Sequence, residues 1–164
     1  MRAAPFADRF DRVREQMGAV GVDTLLLSVG PDLPYLTGYE AMPLERLTML
    51  VLPAEGEATL VVPRLEAPRV IERPEFTLLP WGETEDPIAV VSHLVGTTGR
   101  LAIGDRTWAR FVIDLQAVLP RATWHKASRE ACTGFFSGSR ACPSAYAESA
   151  AWKRPCKNSV CPRL

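Results

Sequence analysis

The sequence predicts an α/β fold: a mixed β-sheet of about six strands with helices on both faces. Two observations carry this. Short apolar runs of strand character alternate with longer stretches of helical period. Two of those runs, residues 47–52 and 59–62, are joined by the acidic link Pro53-Ala54-Glu55-Gly56-Glu57. Such a link reads as a hairpin turn, with Gly56 supplying a positive φ, and a hairpin makes the sheet mixed.

The elements follow in order. Phe6, Phe10, Val13, Met17 and Val20 recur at helical spacing among charged residues, so an amphipathic helix opens the domain and ends at Gly18 or Gly21. Residues 24–29 form a short, mostly apolar run around Leu25-Leu26-Leu27, the mark of a strand buried on both sides, and Gly30-Pro31 breaks it. A loop, Tyr35-Leu36-Thr37-Gly38-Tyr39, precedes the hairpin strands. Residues 64–72 read as a helix with Pro68 tolerated in its first turn, and 76–80 as a strand. Ile88, Val91, Leu94 and Val95 mark a helix with Asp86 as N-cap and Pro87 at its first position. Residues 101–103 form a strand. Trp108, Phe111, Val112, Leu115, Val118 and Leu119 form a helical stripe capped near Asp105 or Thr107, and residues 122–125 form the last strand.

Composition sets limits on function. The chain has 164 residues, of which 47% are hydrophobic, enough for a sizeable core. A formal net charge of zero gives no electrostatic case for nucleic acid or an anionic membrane. No apolar run approaches the roughly 20 residues that span a bilayer. The opening MRAAPFADRFDRVREQ is charged and amphipathic rather than a secretory leader, so a cytoplasmic location is expected.

Two domains of unlike character are expected, residues 5–130 and a tail of 131–164. Up to Ala131 the chain holds 14 Lys+Arg against 18 Asp+Glu, a net of −4. From Cys132 onward it holds five basic residues against one acid, a net of +4, together with all four cysteines. Helical and strand periods stop there, and the tail reads as loop or disorder. The cysteine gaps (Cys132-x9-Cys142-x13-Cys156-x4-Cys161) contain one close pair where a structural zinc site usually has two, and the context does not favour disulfides. A frameshift or a mistaken gene model would account for the change of character.

Few residues carry chemistry. There are two histidines, His93 in the helix beginning near Ile88 and His125 on the last strand. Asp105, Glu83, Glu85 and Asp86 have no spacing that assembles with either, so surface or packing roles are the better reading and no metal ligand is assigned. No Ser/His/Asp order, nucleophile elbow or phosphate-binding glycine loop occurs, so no catalytic residue is assigned. Tyr35, Thr37 and Tyr39 lie where binding residues concentrate, although turn chemistry at Pro34 and Gly38 explains them equally well. Glu45-Arg46 is a charged pair that solvation alone could explain.

These elements resemble, in their order, the N-terminal domain of the creatinase/prolidase family, which includes Xaa-Pro aminopeptidases and dipeptidases. The matching pieces are RFDRVREQMGAVGVDTLLLS, the segment Asp32-Leu33-Pro34-Tyr35-Leu36-Thr37-Gly38-Tyr39, Glu45-Arg46-Leu47, the hairpin TMLVLPAEGEATLVVP, Trp81-Gly82-Glu83 through Asp86-Pro87, and LAIGDRTW. The resemblance covers residues 6–130 and implies a creatinase N-terminal-like α/β module. It implies a non-catalytic domain that makes subunit contacts in a homo-oligomer and frames a pocket for proline-containing peptides. Tyr35, Thr37, Tyr39, Glu45 and Arg46 are then accessory pocket residues. Two divalent metal ions (manganese, cobalt or zinc) belong, on that resemblance, to the catalytic domain of a full-length relative. The alternative is a stand-alone dimerisation or interaction module without peptidase activity.

Overall fold

A computed structural model describes residues 6–127. The tail from Cys132, with its cysteines, lies outside the described residues. Helix α1 spans Ala7–Val20 and ends at Gly21 in a left-handed conformation. Its apolar stripe (Phe10, Val13, Met17) is fully buried. Strand β1 follows at Thr24–Leu27, then a short helix α2 at Asp32–Thr37. The hairpin strands are β2, Met49–Pro53, and β3, Ala58–Pro63, with Gly56 between them at φ 103° as the turn requires. Next come β4 at Phe76–Trp81, α3 at Pro87–Val95, β5 at Gly99–Ile103, α4 at Ala109–Val118 and β6 at Ala122–Lys126.

The six strands form one sheet in the order β4-β3-β2-β1-β5-β6. β2 runs antiparallel to both neighbours, and the other five strands point the same way. Side chains alternate across a strand, so the continuous apolar runs feed two cores. Leu25, Leu27, Leu50, Leu52, Leu60 and Val62 pack beneath α1 and α2. Leu26, Met49, Val51, Val61 and Leu101 pack against Ile88 and Val91 of α3 and Phe111 and Leu115 of α4. Burial on both sides is why β1 shows no polar alternation. The mixed sheet with helices on both faces is thus as expected.

Three local expectations are corrected. The segment around Tyr35 is helical, not loop. Leu33 and Leu36 are both fully buried, and three-residue spacing puts them on one helix face. Pro34 falls in the first turn, where its missing N–H costs nothing. Residues 64–72 do not form an α-helix but contain one 3-10 turn, Ala67–Arg69. Pro68 can donate no bond there and disfavours helical geometry at Ala67, and the segment has no buried stripe to compensate, with Leu65 70% and Ile71 69% exposed. Helix α4 is capped at Trp108, extended at ψ 136°, without a side-chain bond from Asp105 or Thr107. The N–H of Thr107 is drawn into a turn with the Gly104 carbonyl. At α3 the expectation holds: Asp86 Oδ1 accepts from the Ile88 N–H at 2.9 Å, and Pro87 follows it.

Candidate functional site

Because five strands are co-directional, one end of the sheet collects the exits of β1, β3, β4, β5 and β6 and the entry to β2. Loops at such carboxyl ends are where α/β sheets hold their ligands. All five residues singled out in the sequence lie in the segment that crosses this end, between β1 and β2.

The first three serve α2 itself. Thr37 is buried, and its hydroxyl donates to the Leu33 carbonyl at 2.8 Å while accepting the Tyr39 N–H at 3.1 Å. Gly38 ends the helix at φ 73°, and a Cβ there would lie 3.0 Å from Arg73 Nη2 and 3.2 Å from Phe6 Cζ. Guanidinium groups gather on the negative end of the helix: Arg9 donates to the Tyr35 carbonyl at 2.6 Å and Arg73 to the Thr37 carbonyl at 3.1 Å. Arg9 stacks over the Tyr35 ring at 4.6 Å, and Arg73 over Phe6 at 3.8 Å. Arg12 donates to the Tyr35 hydroxyl at 3.1 Å.

Tyr39 is buried and its hydroxyl donates to Glu66 Oε2 at 2.8 Å; Arg69 holds the same oxygen at 2.7 Å. Burial, then the bond to Glu66 and its negative charge, push the Tyr39 phenol up to about 12. This ties the end of α2 to the segment after β3. Glu45 is exposed, and Arg46 pairs with Glu83 Oε1 at 2.9 Å, linking the same loop to the exit of β4. The Trp81 indole donates to the Leu47 carbonyl at 2.9 Å, and Ser28 Oγ to the Thr48 carbonyl at 2.9 Å. The structure therefore joins Tyr35, Thr37 and Tyr39 in one cluster and leaves Glu45 and Arg46 at the solvent-facing rim.

Glu66 and Arg73, which hold Tyr39 and Thr37, and Arg69, which holds Glu66, were not singled out in the sequence; Glu83, weighed there beside the histidines, holds Arg46. Their charges sit in or beside a proline-rich stretch and carry no periodic signal.

The residues described do not fit a metal ion. No group of three or more His, Cys, Asp and Glu side chains converges among them. His93 is exposed, and His125 is half-buried with Nε2 lacking a partner among the described residues. No described helix is long and apolar enough to cross a membrane.

Similarity to known proteins covers the same region. The family model for the Creatinase/Prolidase N-terminal domain matches residues 9–132. "Probable dipeptidase PepE" of Mycobacterium tuberculosis is 35% identical over 98 residues, 57% of this chain and 26% of that protein. The crystal structure of dipeptidase PepE from Mycobacterium ulcerans superposes with a TM-score of 0.69 at 28% identity, over 81% of this chain and 37% of that one. The Creatinase/Prolidase N-terminal domain of an X-Pro dipeptidase from Streptococcus pyogenes superposes at 0.66 over 77% of this chain and 98% of its own, with 20% identity, which speaks for the fold. The chain spans about a quarter of the length of the curated PepE relatives it matches. On the family match over most of its length, the chain belongs to the Creatinase/Prolidase N-terminal domain family.

Proposed function

We propose that this chain acts as the N-terminal, non-catalytic domain of a Xaa-Pro dipeptidase- or aminopeptidase-like metallopeptidase, making subunit contacts in a homo-oligomer and framing the peptide pocket. The observation that carries the reading is the family match over residues 9–132, together with relatives described as dipeptidases. In this reading Glu45 and Arg46 face the peptide, while Tyr35, Thr37 and Tyr39 fix the wall behind them. The exposure of Glu45 and the partial exposure of Arg46 support that division. The two divalent metal ions belong, in this reading, to the catalytic half of longer relatives.

The test is an assay of the purified 164-residue chain with Xaa-Pro dipeptides and added manganese, cobalt or zinc. No turnover is expected, because metal-assisted hydrolysis needs converging ligands that the described residues do not supply. Turnover that co-purifies with the chain and responds to metal overturns the reading.

A second reading has its own support. Met42 is 48%, Leu44 39% and Leu65 70% exposed, and all three lie in loops at the carboxyl end of the sheet. Exposed apolar loops fit a stand-alone dimerisation or interaction module. A defined, soluble dimer by light scattering favours the module; a monomer, or indefinite association, counts against it.

A further inference from the structure

β1 and β5 are parallel neighbours whose exits part company. The chain leaving β1 turns into α2 on one face of the sheet, and the chain leaving β5 turns into α4 on the other. A crevice opens where neighbouring exits diverge in this way, and in open α/β sheets ligands settle there. Here it measures about 310 Å³, at the lower end of the range for small-molecule sites. Val29, Pro31 and Pro34 give it apolar walls, and Glu40 and Arg106 bring one charge of each sign.

Three features point to a ligand that itself carries both charges. Arg106 makes no hydrogen bond or close ion pair with the described residues, and only a longer-range charge interaction with Asp32 is seen there, so its planar fork of donors has room for a carboxylate. Gly30 lets that side chain lie across the crevice: a Cβ at residue 30 would sit 3.3 Å from Arg106 Cδ. Glu40, exposed at the same crevice, supplies the opposite charge. The Asp32 carboxyl is held above its ordinary range by burial first and by Asp105 second, with Arg106 pulling it back down. An ammonium group beside the Glu40 carboxylate then completes the charge pairing.

We propose that this crevice binds a small free α-amino acid with an apolar side chain, its carboxylate on Arg106 and its ammonium toward Glu40. The site goes beyond the peptidase reading and does not depend on it, since binding is a property of this chain alone.

Calorimetric titration of the full 164-residue chain with L-valine tests it. A Kd on the order of 1 mM is expected for so small a ligand. Isobutylamine, which lacks the carboxylate, and isovalerate, which lacks the ammonium, are each expected to bind at least about tenfold more weakly. Arg106→Ala and Glu40→Gln are each expected to weaken valine to a similar extent, with an unchanged circular dichroism spectrum. Both side chains are exposed, so neither change threatens the core. The proposal is overturned if the three compounds bind equally, if both folded variants bind valine as the parent does, or if valine gives no saturable heat up to about 50 mM.

Discussion

Two neighbouring stretches at the carboxyl end of the sheet differ sharply in how they are held. In residues 32–39, Leu33, Leu36, Thr37 and Tyr39 are all buried, and arginines from two other segments close over the helix end. In residues 40–46, Ala41 is buried, but Met42, Leu44 and Glu45 face solvent, and tethers act mainly at the two ends, through Tyr39–Glu66 and Arg46–Glu83. The aromatic and glycine pattern that draws the eye in the sequence belongs to the first stretch, where it builds structure. Side chains able to meet another molecule lie in the plainer second stretch. A rigid platform with a lightly tethered loop beside it is a common way to present binding residues.

If that contrast is right, damage to the platform costs far more stability than damage to the loop. The largest effect is expected for Leu36→Ala, which removes most of a fully buried side chain between α2 and the sheet. Urea denaturation is expected to show a loss of about 2–5 kcal/mol. Thr37→Val keeps the shape but removes the hydroxyl that serves both the Leu33 carbonyl and the Tyr39 N–H. A loss of about 1–3 kcal/mol is expected, since the Tyr39 N–H is left without that acceptor in a buried place. A loss under about 0.5 kcal/mol in either variant would mean that α2 is no more fixed than the loop after it.

Tyr39→Phe comes next, at about 0.5–1.5 kcal/mol near neutral pH, because one bond is lost and Glu66 keeps Arg69. It also carries a pH signature. The folded-state pKa is raised from 10.0 to about 12, so the hydroxyl stays protonated in the native state where an unfolded chain would lose its proton. Its contribution is therefore whole below pH 10 and lost as pH climbs through about 12. Stability of the parent is expected to fall across that window more steeply than that of Tyr39→Phe. Parallel curves would mean that the tether to Glu66 is absent in solution.

The sheet was legible because burial on two faces writes itself into the sequence as unbroken apolar runs such as Leu25-Leu26-Leu27. Pattern also located α1, α3 with its Asp86 cap, and the Gly56 turn. It failed at α2, where six residues are too few to show a period and where Pro34 and Gly38 read equally well as turn residues. The stretch 64–72 misled in the other direction: local charges and one tolerated proline looked helical, yet nothing in the fold offered that segment a face to bury. Tyr35, Thr37 and Tyr39 could be found as a group because they are adjacent in sequence. Their partners Arg9, Glu66 and Arg73 are brought by folding from far along the chain, and Arg106 and Glu40 meet at the crevice only because β1 and β5 pair.

The smallest effect is expected at the loop's outer tether. Arg46 and Glu83 are 2.9 Å apart, but their side chains are 35% and 66% exposed. Attraction between exposed charges is weakened by water and salt, and holding two long side chains in register costs entropy. Arg46→Ala is therefore expected to change unfolding stability by less than about 0.5 kcal/mol. A loss above about 1 kcal/mol would make the loop part of the platform and remove the distinction drawn between them. Should Arg46 instead face a peptide, a longer protein carrying this domain with a catalytic half would respond differently: its KM would rise on Arg46→Ala while the unfolding midpoint stayed fixed. A binding defect without a stability defect is the pattern that a side chain held only at its edge should give.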